Sequence, residues 1–145
     1  MIKGATLILL TILLLGCTES EEQIIPNVSF SGTLNMMQAD YNSKNSFTTR
    51  VDMSGRPLGF AGVVVYRLTK DTYYVYDQIC PYEKSVGSLV IIPKGESDKV
   101  RCPTCGSEFL LSGGYGDVIK GPSKHQLKVY QNRYEPGNDY LSIWN

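Results

Sequence analysis

The chain has 145 residues, 42% hydrophobic and 19% charged, enough for about one packed domain. Its 14 basic and 14 acidic residues cancel, and no Lys/Arg run or basic patch supplies an electrostatic footprint for nucleic acid. A single histidine is weak material for acid–base catalysis, and no spacing of residues singles out a catalytic set.

The chain opens with Met1-Ile2-Lys3, short and positively charged. Gly4 to Leu15 follows without a charge. That run is too short to span a bilayer as a helix, which takes about 20 residues, and it fits the apolar core of an export signal. Leu14-Leu15-Gly16-Cys17 resembles the lipobox of bacterial lipoproteins. The resemblance implies that residues 1–16 are removed, that the Cys17 thiol carries a diacylglycerol, and that the new amine is acylated. Several buried acyl chains give stable anchoring where one gives only marginal binding. The expected place is the bacterial cell envelope, at the outer membrane, on its periplasmic face or on the cell surface. The membrane, reached through the lipid on Cys17, is then the first partner, and a redox or envelope protein is a second of unknown identity.

Residues 17–27 read as the lipidated cysteine and a polar tether. Thr18 to Asn27, fully extended, reaches roughly 33–36 Å. Glu19, Glu21 and Glu22 resemble the acidic signals that send some bacterial lipoproteins to the surface, and also read as an ordinary solvated linker.

Residues 28–145 carry short apolar runs rich in Val, Ile, Tyr, Phe and Thr, as pleated sheets favour. Asn35 to Thr49 is a loop or helical turn. Gly62 to Tyr66 and Tyr73 to Tyr76 form a hairpin about Lys70-Asp71. Leu89 to Ile92, Lys99 to Arg101 and Glu108 to Leu111 are further strands, and Gly113 to Asp117 is a loop. Leu127 to Tyr130 alternates apolar and polar, as a half-buried strand does. Pro136 to Asp139 turns the chain into Tyr140 to Trp144. Many short strands with frequent turns predict an all-β fold, a small antiparallel sandwich or barrel with two cysteine-containing loops. The ten tyrosines suit such strands and need no special role.

Setting Cys17 aside leaves Cys80, Cys102 and Cys105, an odd number, so at least one thiol is free, metal-bound or paired with another chain. Cys80-Pro81-Tyr82-Glu83 and Cys102-Pro103-Thr104-Cys105-Gly106 each leave a strand with a Cys-Pro pair. The second has the spacing of a rubredoxin or zinc-ribbon knuckle. The first has the same spacing with Glu83 in the fourth place, so three thiolates and a carboxylate could bind one Zn or Fe ion tetrahedrally.

The same two segments resemble the Rieske iron–sulfur domain, whose Cys-x-His and Cys-x2-His loops clamp a [2Fe–2S] cluster. Cys80-Pro81-Tyr82 lies where the first loop falls. Cys102 to Cys105 lies where the second falls and continues into Gly106-Ser107-Glu108-Phe109. Gly121-Pro122-Ser123 is similar to the proline loop that shields the cluster, and the likeness runs from about Phe60 to Trp144. The resemblance implies that the Ser107 hydroxyl bonds a cluster sulfur. Tyr82 and Cys105 occupy the two histidine positions, and Phe109 replaces a second hydroxyl donor. The imidazoles raise the cluster's potential. Without them, the proton-coupled quinone chemistry of high-potential members is not available.

Three states of the site follow. A variant [2Fe–2S] cluster would place Cys80 and Cys102 on one iron, with Cys105 and Tyr82 or Glu83 on the other, in an electron carrier. Paired knuckles would hold one Zn or Fe ion at Cys80, Glu83, Cys102 and Cys105. With no cofactor, the resemblance implies a Cys80–Cys102 disulfide in an oxidising compartment and a degenerate structural or binding module. The metal-free module is the leading expectation, as a binding or carrier protein rather than a catalyst. His125 lies after the proline loop and reads mainly as a surface or packed strand residue.

Overall fold

The computed structural model describes residues 24–145. The export leader, the Cys17 lipid site and the Glu19–Glu22 cluster lie outside the described residues. The strand order is β1 (Ser31–Asn35), β2 (Ser46–Thr49), β3 (Val63–Arg67), β4 (Tyr73–Asp77), β5 (Lys99–Arg101), β6 (Glu108–Leu110), β7 (Asp117–Lys120), β8 (Val129–Glu135) and β9 (Tyr140–Trp144). One helical turn, α1 (Ala39–Asn42), falls in the segment where the sequence left a loop or helical turn open. Among the described residues no helix is long and apolar enough to cross a membrane.

Two antiparallel sheets make up the fold, as the strand pattern predicts. One has six strands in the order β1-β9-β8-β4-β3-β2, and the other has three in the order β5-β6-β7. The middle of the larger sheet is buried on both faces, which explains the unbroken run Val63-Val64-Val65. Side chains alternate across a strand. Val63 and Val65 therefore join Val75, Phe47, Leu141 and Ile143 in one core. Val64 turns the other way, with Tyr76, into a second core built against the small sheet with Val100, Phe109 and Leu111. The Tyr76 hydroxyl donates to the Leu111 carbonyl at 2.5 Å and ties the two layers together.

Beyond β1 and β2, which the sequence did not mark as strands, three elements differ from the sequence reading. Leu89 to Ile92 is not a continuous strand: Leu89 bridges Ile79 and Ile91 bridges Arg101, each as a single pair. The segment is a splice between two strand ends, with room for only one pair at each. β8 begins later than expected and runs further, because its start pairs with β4 and its remainder with β9. β7 begins at Asp117, inside the expected loop. Its pairing to β6 shifts register between Glu108 and Phe109, so no clean alternation marks it in sequence.

Ile25 is buried, and Lys128 Nζ donates to the Pro26 carbonyl at 3.2 Å and to Asn27 Oδ1 at 2.8 Å, so the end of the polar segment packs onto the sheet.

Between β2 and β3, Asp52 organises a tight turn. Its carboxylate accepts from the Ser54 and Arg56 amides at 2.8 and 2.9 Å and takes a two-pronged contact from the Arg56 guanidinium. Burial alone would raise its pKa, but these donors outweigh it and hold the carboxyl below its usual range. A depressed folded-state pKa stabilises above the unfolded value, and that contribution is lost as pH falls through the folded one. Asp52→Asn is thus expected to flatten the acid-side fall of the melting temperature, read from thermal unfolding between pH 7 and pH 2.

Candidate metal centre

Two loops carry the three cysteines to one place. The first leaves β4. Asp77 is fully buried, and its carboxylate accepts from the Ile79 amide at 2.8 Å, the Phe60 amide at 2.6 Å and the Tyr130 hydroxyl at 2.7 Å. That anchor sets the chain's path three residues before Cys80. The second loop leaves β5 and returns into β6. The splice segment joins them: the Cys80 amide donates to Ser88 O at 3.1 Å, and Ile91 and Arg101 exchange amide bonds of 2.8 Å. A contact of 3.1 Å between the Ser88 and Thr104 hydroxyls links the loop tips.

The two loops close alike. Lys84 N donates to Cys80 O, and Gly106 N to Cys102 O, each at 2.9 Å. The closing residue is left-handed in both, with φ of 54° at Lys84 and 77° at Gly106. Glycine takes that region freely and lysine rarely does. The likeness therefore goes deeper than the Cys-Pro pair.

Cys80, Cys102 and Cys105 converge. Their sulfurs all lie within 4.8 Å of one another, and those of Cys80 and Cys105 are 3.7 Å apart. All three are free thiols. Cys80 and Cys102 are fully buried and pack in the second core, while Cys105 is partly exposed. Burial pushes the Cys80 thiol up to about 12, although the amides of Glu83 and Tyr82 point at its sulfur and favour the thiolate. At Cys105 burial also works upward, but the Ser107 hydroxyl and amide and the two neighbouring thiols outweigh it, and the thiol sits below its usual range. Ser107 Oγ is 3.1 Å from Cys105 Sγ and accepts the Ser123 amide at 3.1 Å, which leaves its proton free for a thiolate.

The profile of the Rieske [2Fe-2S] domain matches residues 34–131, well over half of the chain. The chain belongs to that family. Among solved structures, the Rieske chain is similar to one described as the small subunit of an NADH-dependent nitrite reductase from Mycobacterium tuberculosis. The identity is 14%, with a TM-score of 0.45 over 82% of this chain and 97% of that one. No curated protein matches it.

The donors of this Rieske domain depart from the family's set. A [2Fe–2S] cluster takes two terminal ligands on each iron, and in Rieske centres one iron takes two imidazoles. Here three thiols form a single triad. Ligands on different irons have the iron–iron axis between them and stand further apart than ligands on one iron. A triad drawn around one point leaves a second iron without a pair. Tyr82, at the first imidazole position, is 52% exposed and turned outward. The residues present do not fit the two-iron cluster. Among the described residues, neither Glu83 nor His125 has a ligand atom within the triad, and His125 is exposed. Phe109 is wholly buried in the second core.

The Gly121–Ser123 loop packs against Ser107. Gly121 has φ of 98°, and a side chain there would put Cβ 2.4 Å from Ser107 Cα. The Ser107 backbone cannot yield, so Gly121→Ala lifts the loop off the site. Strain of about 1–3 kcal/mol is expected, and a melting temperature lower by roughly 4–10 °C. Faster alkylation of Cys105 by iodoacetamide, located by mass spectrometry, accompanies it. Pro122 itself is exposed. A separate groove of about 710 Å³ runs beside β2 between Tyr41, Phe47 and Pro93, away from the thiols.

Asp77 and the Ser88–Thr104 contact were not singled out in the sequence. A carboxylate closing an apolar strand three residues before a Cys-Pro pair was the available signal for the first.

Proposed function

We propose that this protein is a lipid-anchored module of the bacterial envelope whose Rieske domain uses its cysteine loops to bind metal through thiolates rather than to carry a Rieske cluster, and that it binds rather than transforms. The observation that supports this most is the gathering of three free thiols into one triad where both imidazoles of the family are replaced. Soft thiolates select Zn, Cu(I) and iron, and a bound cation deprotonates even a thiol that burial has raised. The leader and the Leu14–Cys17 pattern support anchoring through a diacylglycerol on Cys17.

Two measurements test the reading. Protein extracted from membranes with detergent, in the absence of oxygen, is expected to contain thiolate-bound metal that is lost when Cys102 is replaced by serine. Absence of metal, with a disulfide among the three cysteines by mass, returns the domain to a cluster-free structural module. For anchoring, Cys17→Ala is expected to release the protein from the membrane fraction. A Cys17→Ala protein that stays in that fraction rejects the lipid site.

A further inference from the structure

The two cysteine loops are copies of one device, and this decides what the triad takes. Each begins Cys-Pro, each closes by an amide bond from the fifth residue back to the cysteine carbonyl, and each closing residue is left-handed. In the second loop Ser107 Oγ lies 3.1 Å from Cys105 Sγ. Such a turn presents its first and fourth side chains on the same side. In the second loop these are Cys102 and Cys105, both in the triad. In the first they are Cys80, in the triad, and Glu83, which is half-buried with its carboxylate outside the triad.

Distances favour one ion. Thiolates at about 2.3 Å from a tetrahedral Zn²⁺ are about 3.8 Å from each other. The Cys80–Cys105 separation is 3.7 Å, and no pair in the triad exceeds 4.8 Å. Small movements of side chains bring all three onto one centre. Three thiolates fill three corners of a tetrahedron and leave the fourth for another ligand.

Resting on the thiolate-module reading, we propose that the paired loops form a mononuclear tetrahedral site for a thiophilic divalent cation, with Cys80, Cys102 and Cys105 as three ligands and the Glu83 carboxylate swinging in as the fourth. The resulting site is closed and structural in type. It has no free position for substrate, in keeping with binding rather than turnover.

Co²⁺ is the probe, because a tetrahedral thiolate site gives it intense charge-transfer and ligand-field bands. The full chain, extracted in detergent and reduced, is titrated with Co²⁺ and then with Zn²⁺. One Co²⁺ per chain with tetrahedral bands, displaced by one Zn²⁺, is the expected result. Glu83→Gln is expected to weaken Co²⁺ binding by at least about tenfold and to perturb the ligand-field bands. Glu83→Cys restores tight binding with stronger charge transfer, as a fourth thiolate adds intensity. Unchanged affinity and spectrum in Glu83→Gln overturn Glu83 as a ligand. About two irons with acid-labile sulfide in the protein as isolated overturn both the single-ion site and the reading that the loops bind metal without a Rieske cluster, whereas two or more Co²⁺ per chain without sulfide overturn the single-ion site alone. Failure of the wild type and of Glu83→Cys to bind any Co²⁺, with both folded by circular dichroism, overturns both.

Discussion

Asp77→Ala is expected to lower the melting temperature by roughly 10–20 °C. The carboxylate has no access to solvent and serves three donors from three places in the chain: the Phe60 amide, the Ile79 amide and the Tyr130 hydroxyl. A fourth contact, from the Ala61 amide, is longer at 3.4 Å. Removing one partner from a buried bond strands the other, at about 1–3 kcal/mol for each group left unpaired. Three stranded donors, partly relieved by entering water, come to about 3–5 kcal/mol. Tyr130→Phe is the contrasting variant. It deletes one donor and leaves the carboxylate held by amides, so about 1–2 kcal/mol is expected. The pair of variants separates loss of the anchor from loss of one bond, and differential scanning calorimetry reads both. If Asp77→Ala melts within a few degrees of wild type, the carboxylate is not the anchor of the Cys80 loop.

The all-β class, the β3–β4 hairpin and the return strand β9 could be read from sequence because each rests on local signals. Val63 to Val65 and Tyr73 to Tyr76 are β-branched or aromatic, and Pro136 to Asp139 is turn chemistry. β1 and β2 were missed because Ser31-Gly32-Thr33 and Ser46-Phe47-Thr48 are polar for strands. They form because β9 and β3 offer complete partners for Ser31–Asn35 and Ser46–Thr49. At the site, the positions of the three cysteines, Ser107 and the proline loop were legible through motif spacing. The matching closure of the two loops was not. Gly106 advertises a left-handed turn, but Lys84 does not, and only the backbone shows φ of 54° there. The mutual approach of the three sulfurs, with Cys105 3.7 Å from Cys80, was likewise closed to sequence, since spacing alone does not say which way Cys105 faces.

Tyr82 and Cys105 are therefore the residues where the scaffold and its cofactor part ways. The double variant Tyr82→His, Cys105→His is expected to regain a two-iron cluster. The other parts the resemblance calls for are in place. Cys80 and Cys102 are buried at the ends of their strands. The Ser107 hydroxyl lies 3.1 Å from the side-chain sulfur of residue 105, and the Gly121–Ser123 loop covers Ser107. Moving the third thiol out of the triad removes the competing centre, and two imidazoles supply the pair that a second iron needs. After anaerobic incubation with ferrous iron and sulfide, about two irons and two acid-labile sulfides per chain are expected, with a potential well above that of all-cysteine clusters. Wild type under the same treatment is expected to take a single ion and no sulfide. If the double variant also takes only one ion, the spacing of the two loops, rather than the identity of the donors, has closed this Rieske scaffold to its cluster.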